Sequence, residues 1–278
     1  MFEGRHLLVA SKHDKEKVIA PIFEQEFNVK IVPNTIFDTD TLGTFSGEIN
    51  RDEDALTTLR KKCIMALQVH KMDLGIASEG SFGAHPSCFF VPGDEEFLIL
   101  IDLKNNLEIV AKELSTETNF NGKYINNVEE LLDFASQIKF PSHGLILKEK
   151  ETNFTIVHKG IRNKVELIAM FNKIKNTFGK VYVETDMRAN FNPTRMRIIE
   201  KAAYKLVEKI KTKCPKCETP GFDITTFNRG LPCGQCNSPT RSLLSIIYTC
   251  KKCNYALDKM YPNDMQSEDP MYCDYCNP

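Results

Sequence analysis

Asp73-Leu-Gly-Ile-Ala-Ser-Glu-Gly-Ser-Phe-Gly-Ala-His-Pro-Ser87 starts apolar and turns within a few residues into a run of Gly, Ser, Glu and His. The first part, "DLGIA", reads as a buried strand, and Ala77–Ser87, "ASEGSFGAHPS", as a loop leaving its end. Strand ends that open into glycine-containing polar loops are where α/β folds hold ligands. In this loop Glu79 is a candidate base or metal ligand. Gly80 and Gly83 would let backbone approach a ligand, and Ser78, Ser81 and His85 offer hydrogen bonds. A plain turn is the competing reading, above all for His85 beside Pro86. No Gly-x-Ser-x-Gly elbow or phosphate-loop lysine is present, and no partner base can be assigned to Ser81.

Working outward, "RHLLVAS" and "VKIVP" read as strands on either side of a helix, "KHDKEKVIAPIFEQEF", in which Pro21 should kink or break the chain. "ALTTLRKKCIMALQVH" has Leu56, Leu59, Cys63, Ala66 and Leu67 at helical spacing, which puts Cys63 on the apolar face. "EFLILIDL" and "LEIVAKEL" form a hairpin through "KNN". "NNVEELLDFASQI" is a helix capped by Asn126 or Asn127. "HGLILKEKETNFTIVHKG" is another hairpin, "RNKVELIAMFNKIKNTF" a helix and "KVYVETD" a strand. A long helix then starts with Asn192 as cap and Pro193 at its first position. Strands alternating with helices, plus hairpins, predict an α/β class with a mixed sheet flanked by helices. Its expected extent is residues 1–212, with an internal sub-boundary near 140–160, and 213–278 form a small double zinc ribbon for the reason given next.

The chain has 278 residues, 42% hydrophobic and 26% charged, enough to bury a sizeable core. Ten Cys are unevenly placed: Cys63 and Cys88 stand alone, and the other eight form Cys214-x-x-Cys217, Cys233-x-x-Cys236, Cys250-x-x-Cys253 and Cys273-x-x-Cys276. Two thiolates three residues apart reach one ion from a tight turn, and two such turns complete a four-sulfur tetrahedron, so eight ligands make two structural Zn²⁺ sites. Sequential pairing, first with second and third with fourth, is the simplest ribbon arrangement; a crossed arrangement is the alternative. Four thiolates per ion leave no position for an activated water.

The formal net charge of −1 gives no global field to gather nucleic acid or acidic membrane. From Glu200 to Pro278 there are 11 Lys+Arg against 9 Asp+Glu, and each tetrathiolate zinc adds a formal 2−, so phosphate-driven nucleic-acid binding by the tail is not favoured. No segment approaches the ~20 apolar residues of a membrane span, and no secretion signal is read; the expectation is a cytoplasmic protein without membrane attachment.

Two further polar clusters adjoin strand or helix ends. "DTDTLGTFSGEINR" offers Asp38, Asp40, Thr44, Ser46, Glu48 and Arg51, with carboxylates suited to Mg²⁺ and hydroxyls, backbone N–H groups and Arg51 suited to phosphate. "ETDMRANFNPTR" offers Glu184 and Asp186 at a strand end and Arg188, Asn192 and Arg195 around a helix start that would favour an anion. Thr118 and Asn119 are weaker candidates. The plainer readings are a solvated loop and a buried salt bridge with an Asn cap.

Taken together, "GTFSGEINR", "GIASEGSFGAHP", "ETNFN", "ETDMRANFNPTRM", "CPKCETPGF", "GLPCGQCNSPT" and "DPMYCDYCNP" resemble the bacterial family known as domain of unknown function 6671. The resemblance implies an α/β region with a zinc-binding tail and no particular reaction. The order of "HLLVASK", helix, "DTDTLGTFSGEINR", helix and "DLGIASEGSFG" also resembles inosine triphosphate pyrophosphatase-like enzymes. That likeness implies Lys12 on phosphate, Glu48 and Glu79 serving Mg²⁺, and the glycine-containing loop lining a nucleotide pocket; Ala77-Ser78 stand where those enzymes carry an acidic pair. The resulting expectation is a protein that binds a phosphate-bearing ligand, a nucleotide, and leans toward a Mg²⁺-dependent phosphohydrolase, with Glu79, Glu48 and Asp186 as catalytic candidates. A non-enzymatic zinc-ribbon module binding nucleic acid or protein is the alternative.

Overall fold

The computed structural model describes residues 1–37 and 54–278. By spatial proximity the chain divides into two compact units, Met1–Val207 and Glu208–Pro278.

The first unit opens with β1 (His6–Ala10), α1 (Glu16–Phe27) and β2 (Lys30–Pro33), followed by α2 (Ala55–His70), β3 (Leu74–His85), β4 (Cys88–Asp102) and β5 (Leu107–Ser115). These strands make a five-stranded sheet in the order β2-β1-β3-β4-β5. β1 is parallel to both neighbours, while β3, β4 and β5 form an antiparallel meander. α2 buries Leu59, Cys63, Ala66 and Leu67 against Leu8, Ala10, Ala77, Ile99 and Ile101. α1 runs through Pro21 instead of breaking there; the missing N–H removes one ladder bond early in the helix.

The stretch expected to be a loop is strand. β3 continues through Ser78–His85 and pairs residue by residue with β4, Gly80 opposite Glu96 and Phe82 opposite Asp94. Pairing with a partner overrides the low strand propensity of Gly and Ser. Because side chains alternate across a strand, Ser78, Gly80 and Phe82 share one face with Glu96 and Asp94. Glu79 and Ser81 share the other with Phe97 and Glu95.

A second sheet follows: β6 (Gly122–Ile125), β7 (Leu145–Lys148), β8 (Val157–Ile161) and β9 (Val181–Thr185), in the order β6-β9-β7-β8, all antiparallel. α3 (Val128–Gln137) and α4 (Lys164–Phe178) bury Leu131, Phe134, Leu167, Phe171 and Ile174 against Leu145, Leu147, Val181 and Val183. The chain thus changes sheet across residues 116–121. A 3₁₀ turn at Ala189–Phe191 then leads into α5 (Pro193–Lys211). Asn192 caps α5, its Oδ1 accepting the Arg195 N–H at 3.0 Å, and its Nδ2 donates to Asn119 Oδ1 at 2.8 Å.

The second unit carries β10 (Asp223–Arg229), β11 (Leu243–Thr249) and β12 (Ala256–Met260) as an antiparallel meander. No helix among the described residues is long and apolar enough to cross a membrane.

Asn192→Ala removes the α5 cap and the Asn119 bond together. Urea unfolding should show a loss of about 1–2 kcal/mol.

Candidate functional site

Strand order reverses between β1 and β3: from β1 the chain goes one way to β2, then returns past β1 to lay down β3. The last β1–β3 pair is Ala10 with Ala77, so the residues beyond it, Ser11–Lys15 on one side and Ser78–Gly80 on the other, emerge at the reversal. Open α/β sheets bind ligands in the crevice at such a point. In the Ser11–Lys15 connection both His13 and Asp14 have positive φ, near 63°. It ends in Lys15, which is only 4% exposed.

Around the end of β3 lies a network of buried charges. Lys62 of α2 pairs with Glu79, and Arg195 of α5 donates through Nε to Glu96 Oε1 at 2.5 Å and through Nη1 to the Met187 carbonyl. The guanidinium also lies over the Phe82 ring, 4.9 Å from its centroid, and Phe82 stacks on Phe120. Gly80 is required here by close approach: a Cβ would sit 2.5 Å from Arg195 Nη2 and 2.6 Å from Glu96 Oε1. Burial lowers the Lys15 pKa to about 7, reinforced by the Arg195 charge and opposed by Glu96 and Glu79. Burial, with Glu96 adding to it, raises Asp94 to about 8. Among the described residues, both Asp94 oxygens, Glu96 Oε2 and Ser78 Oγ are buried without a hydrogen-bond partner.

The structure therefore brings together Ser78, Glu79, Gly80 and Arg195 from the sequence candidates, with Lys12 in the adjacent β1–α1 connection. Sequence reasoning missed Lys15, Lys62, Asp94 and Glu96. Two of these carried a signal: Asp94 and Glu96 have the same parity as the buried Leu98 and Leu100, and Lys62 falls three residues after Leu59 and four before Ala66 on the apolar stripe of α2.

Other candidates are engaged elsewhere. Asp186 accepts from the Gly160 and Arg188 N–H groups, each at 3.0 Å, and from the Arg188 guanidinium at 2.6 Å. Its oxygens are occupied by the fold around Arg188 and Gly160. Glu184 receives Lys148 at 2.6 Å, and burial raises its pKa against that pairing. Thr118 closes a turn by accepting the Phe120 N–H at 3.2 Å. His85 accepts the Ser87 N–H at the hairpin tip, the turn role expected of it. Ser81 points to the face opposite Ser78, and a Cβ at Gly83 would meet open space. Asp38, Asp40, Thr44, Ser46, Glu48 and Arg51 lie outside the described residues.

In the second unit the eight cysteines gather into two tetrads, Cys214, Cys217, Cys250 and Cys253, and Cys233, Cys236, Cys273 and Cys276. The crossed pairing replaces the sequential one, and the meander is the reason. Successive knuckles are separated by one strand and so fall at alternate ends of the sheet. The start of β10 meets the end of β11, Asp223 opposite Thr249, which brings the first knuckle to the third; the end of β10 and the start of β11 meet at Arg229 and Leu243, near the second. Each knuckle closes with the N–H of residue i+4 donating to the first cysteine's carbonyl: Glu218 to Cys214, Asn237 to Cys233, Asn254 to Cys250 and Asn277 to Cys273. Sulfurs facing each other across the tetrads are 3.6–3.9 Å apart, matching the ~3.8 Å edge of a tetrahedron with ~2.3 Å Zn–S bonds. Thr219, 3.2 Å from Cys217 Sγ, lowers that thiol to about 6, and Ser238 does the same for Cys236. Phe222, Tyr248 and Tyr255 pack against the first tetrad. Each tetrad can hold one zinc ion in a closed, structural shell. Among the described residues no other group of three or more Cys, His, Asp or Glu donors converges.

A family model described as domain of unknown function DUF6671 matches residues 62–278. The chain belongs to the DUF6671 family. Among curated proteins none matches this DUF6671 chain. Among solved structures it is similar to protein VC0702 from Vibrio cholerae, 8% identical, with a TM-score of 0.36 over 74% of this chain and 94% of that one. A likeness of that size carries no functional argument.

Crossed pairing has a direct test in metal stoichiometry. Cys217→Ser with Cys250→Ser should retain one zinc per chain, whereas Cys217→Ser with Cys236→Ser should retain none; sequential pairing gives the reverse. Asp94 supplies a pH test. A carboxyl whose folded pKa is raised from 3.8 to about 8 costs stability progressively as pH rises through that window. The melting temperature of Asp94→Asn relative to the parent, in magnesium-free buffer, should therefore climb from pH 5 to pH 9.

Proposed function

We propose that the first unit binds a phosphate-bearing small molecule, a nucleotide, at the reversal point between β1 and β3. The observation that carries this reading is the position of the buried Lys15: it ends the β1–α1 connection beside the part of β3 that runs beyond its pairing with β1 and carries Ser78, Glu79 and Gly80, where an anion would restore the charge that burial penalises. Lys12 is the second phosphate ligand, consistent with the likeness of this segment to inosine triphosphate pyrophosphatase-like enzymes. A Mg²⁺ ion would neutralise the phosphate oxygens of such a ligand and needs only one or two protein carboxylates. Turnover, in this reading, would be phosphoanhydride hydrolysis, in which a water oxygen bonds to the terminal phosphorus as the bridging P–O bond breaks and the bridging oxygen leaves with the rest of the nucleotide.

A second reading rests on the ribbon unit, where Phe227, Tyr272 and Tyr275 are 65%, 61% and 78% exposed. Aromatic side chains in water at that density favour a module that contacts protein or stacks on nucleic-acid bases.

A thermal-shift screen of nucleotides with and without Mg²⁺ separates the two. Nucleotide-dependent stabilisation that Lys15→Met removes supports the first reading. Absence of any shift, with salt-sensitive binding to single-stranded RNA or DNA, supports the second.

A further inference from the structure

The buried oxygens left over on the β3–β4 face are the observation that goes furthest. Ser78 is 1% exposed, and Asp94 and Glu96 are both 0% exposed. The strand register puts all three on one face, Glu96 opposite Gly80 and Asp94 opposite Phe82. Arg195 holds Glu96 through Oε1 alone, leaving Oε2 without a donor, and neither Asp94 oxygen nor Ser78 Oγ has one among the described residues. Buried carboxylate oxygens that lack donors are strongly penalised, and two carboxylates side by side add repulsion.

We propose that Asp94 and Glu96, two residues apart on one face of β4, form a site for a hard divalent cation of the Mg²⁺ or Mn²⁺ class. A cation between the two carboxylates answers both penalties at once. The donors are all oxygen, which selects such ions over zinc. Two carboxylates without a third acidic or imidazole ligand suit Mg²⁺, which keeps several waters and completes its shell with phosphate oxygens. The glycine at position 80 contributes by leaving the interval between Ser78 and Phe82 free of a side chain, so that Arg195 and Glu96 can meet there and fix the carboxylate. The inference deepens the nucleotide reading and rests on it only for the phosphate; the cation site stands on the protein's own oxygens. It also moves metal binding away from Glu79, which is engaged by Lys62 on the opposite face.

The test uses the full chain with both zincs bound, in magnesium-free buffer, titrated with Mn²⁺ while free Mn²⁺ is followed by electron paramagnetic resonance. The parent should bind one equivalent, and Mg²⁺ should compete. Asp94→Asn, which needs no cation to fold, should weaken binding by about tenfold or more while zinc content stays at the parental value. Glu96→Gln also loosens Arg195, so its result counts only alongside an unchanged melting temperature. Parental Mn²⁺ affinity in Asp94→Asn, or no Mn²⁺ uptake by the parent at millimolar concentration, overturns the site. Mn²⁺ binding lost in Asp94→Asn, with no nucleotide effect on either protein, upholds the cation site and removes the nucleotide reading instead. Nucleotide-dependent stabilisation with no Mn²⁺ uptake does the reverse.

Discussion

A single guanidinium holds the first unit together. Arg195 is the largest fully buried side chain and reaches from α5 to Glu96 in the first sheet and to the Met187 carbonyl just past the second. A buried ion pair is not in itself a source of stability, because both charges leave water; breaking one, however, strands the surviving charge at a cost of about 3–5 kcal/mol. The neighbouring sequence is shaped by that constraint. Position 80 has no side chain because any would enter the pair, Phe82 presents its ring to the guanidinium, and Asn192 fixes the start of α5 three residues before Arg195. Gly80 lies in a strand rather than a loop, and its missing side chain leaves room for the Arg195 guanidinium on the face of β3 and β4.

The second unit obeys a different constraint. It has little apolar interior beyond Phe222, Tyr248 and Tyr255 around one tetrad, so metal coordination carries most of its folding free energy. The three-stranded meander decides which sulfurs meet. Once one strand of the meander separates each knuckle from the next, odd and even knuckles must gather at opposite ends.

Much of this was legible in the sequence. Periodicity located the helices, Asn127 and Asn192 announced their caps, and the four cysteine pairs announced two metal sites with all eight ligands. The failures have physical causes. "SEGSFGAH" has turn composition, but a twelve-residue strand is stabilised by its hydrogen-bonded partner, which local composition does not encode. The knuckle pairing stayed open between sequential and crossed because it depends on strand count between knuckles, and "DITTFNR" and "LLSIIYT" were not read as strands. Lys15, Lys62, Asp94 and Glu96 were passed over, although the parity of Asp94 and Glu96 with Leu98 and Leu100 marked them as inward-facing. Asp186 and Glu184, acidic residues at a strand end, pair with the fold's own Arg188 and Lys148, the salt-bridge reading that the sequence also carried.

The interleaving of the two tetrads also governs the order in which the tail can be made. Each metal closes a loop that overlaps the other, from Cys214 to Cys253 and from Cys233 to Cys276. As the chain leaves the ribosome, neither of the first two knuckles has its partner, and both wait as open two-sulfur clasps until β11 has been synthesised. The first ion can be sealed only when Cys253 emerges, and the second only when Cys276 does. A chain that has reached Cys253 but not Cys276 therefore holds one sealed site and one half-built clasp.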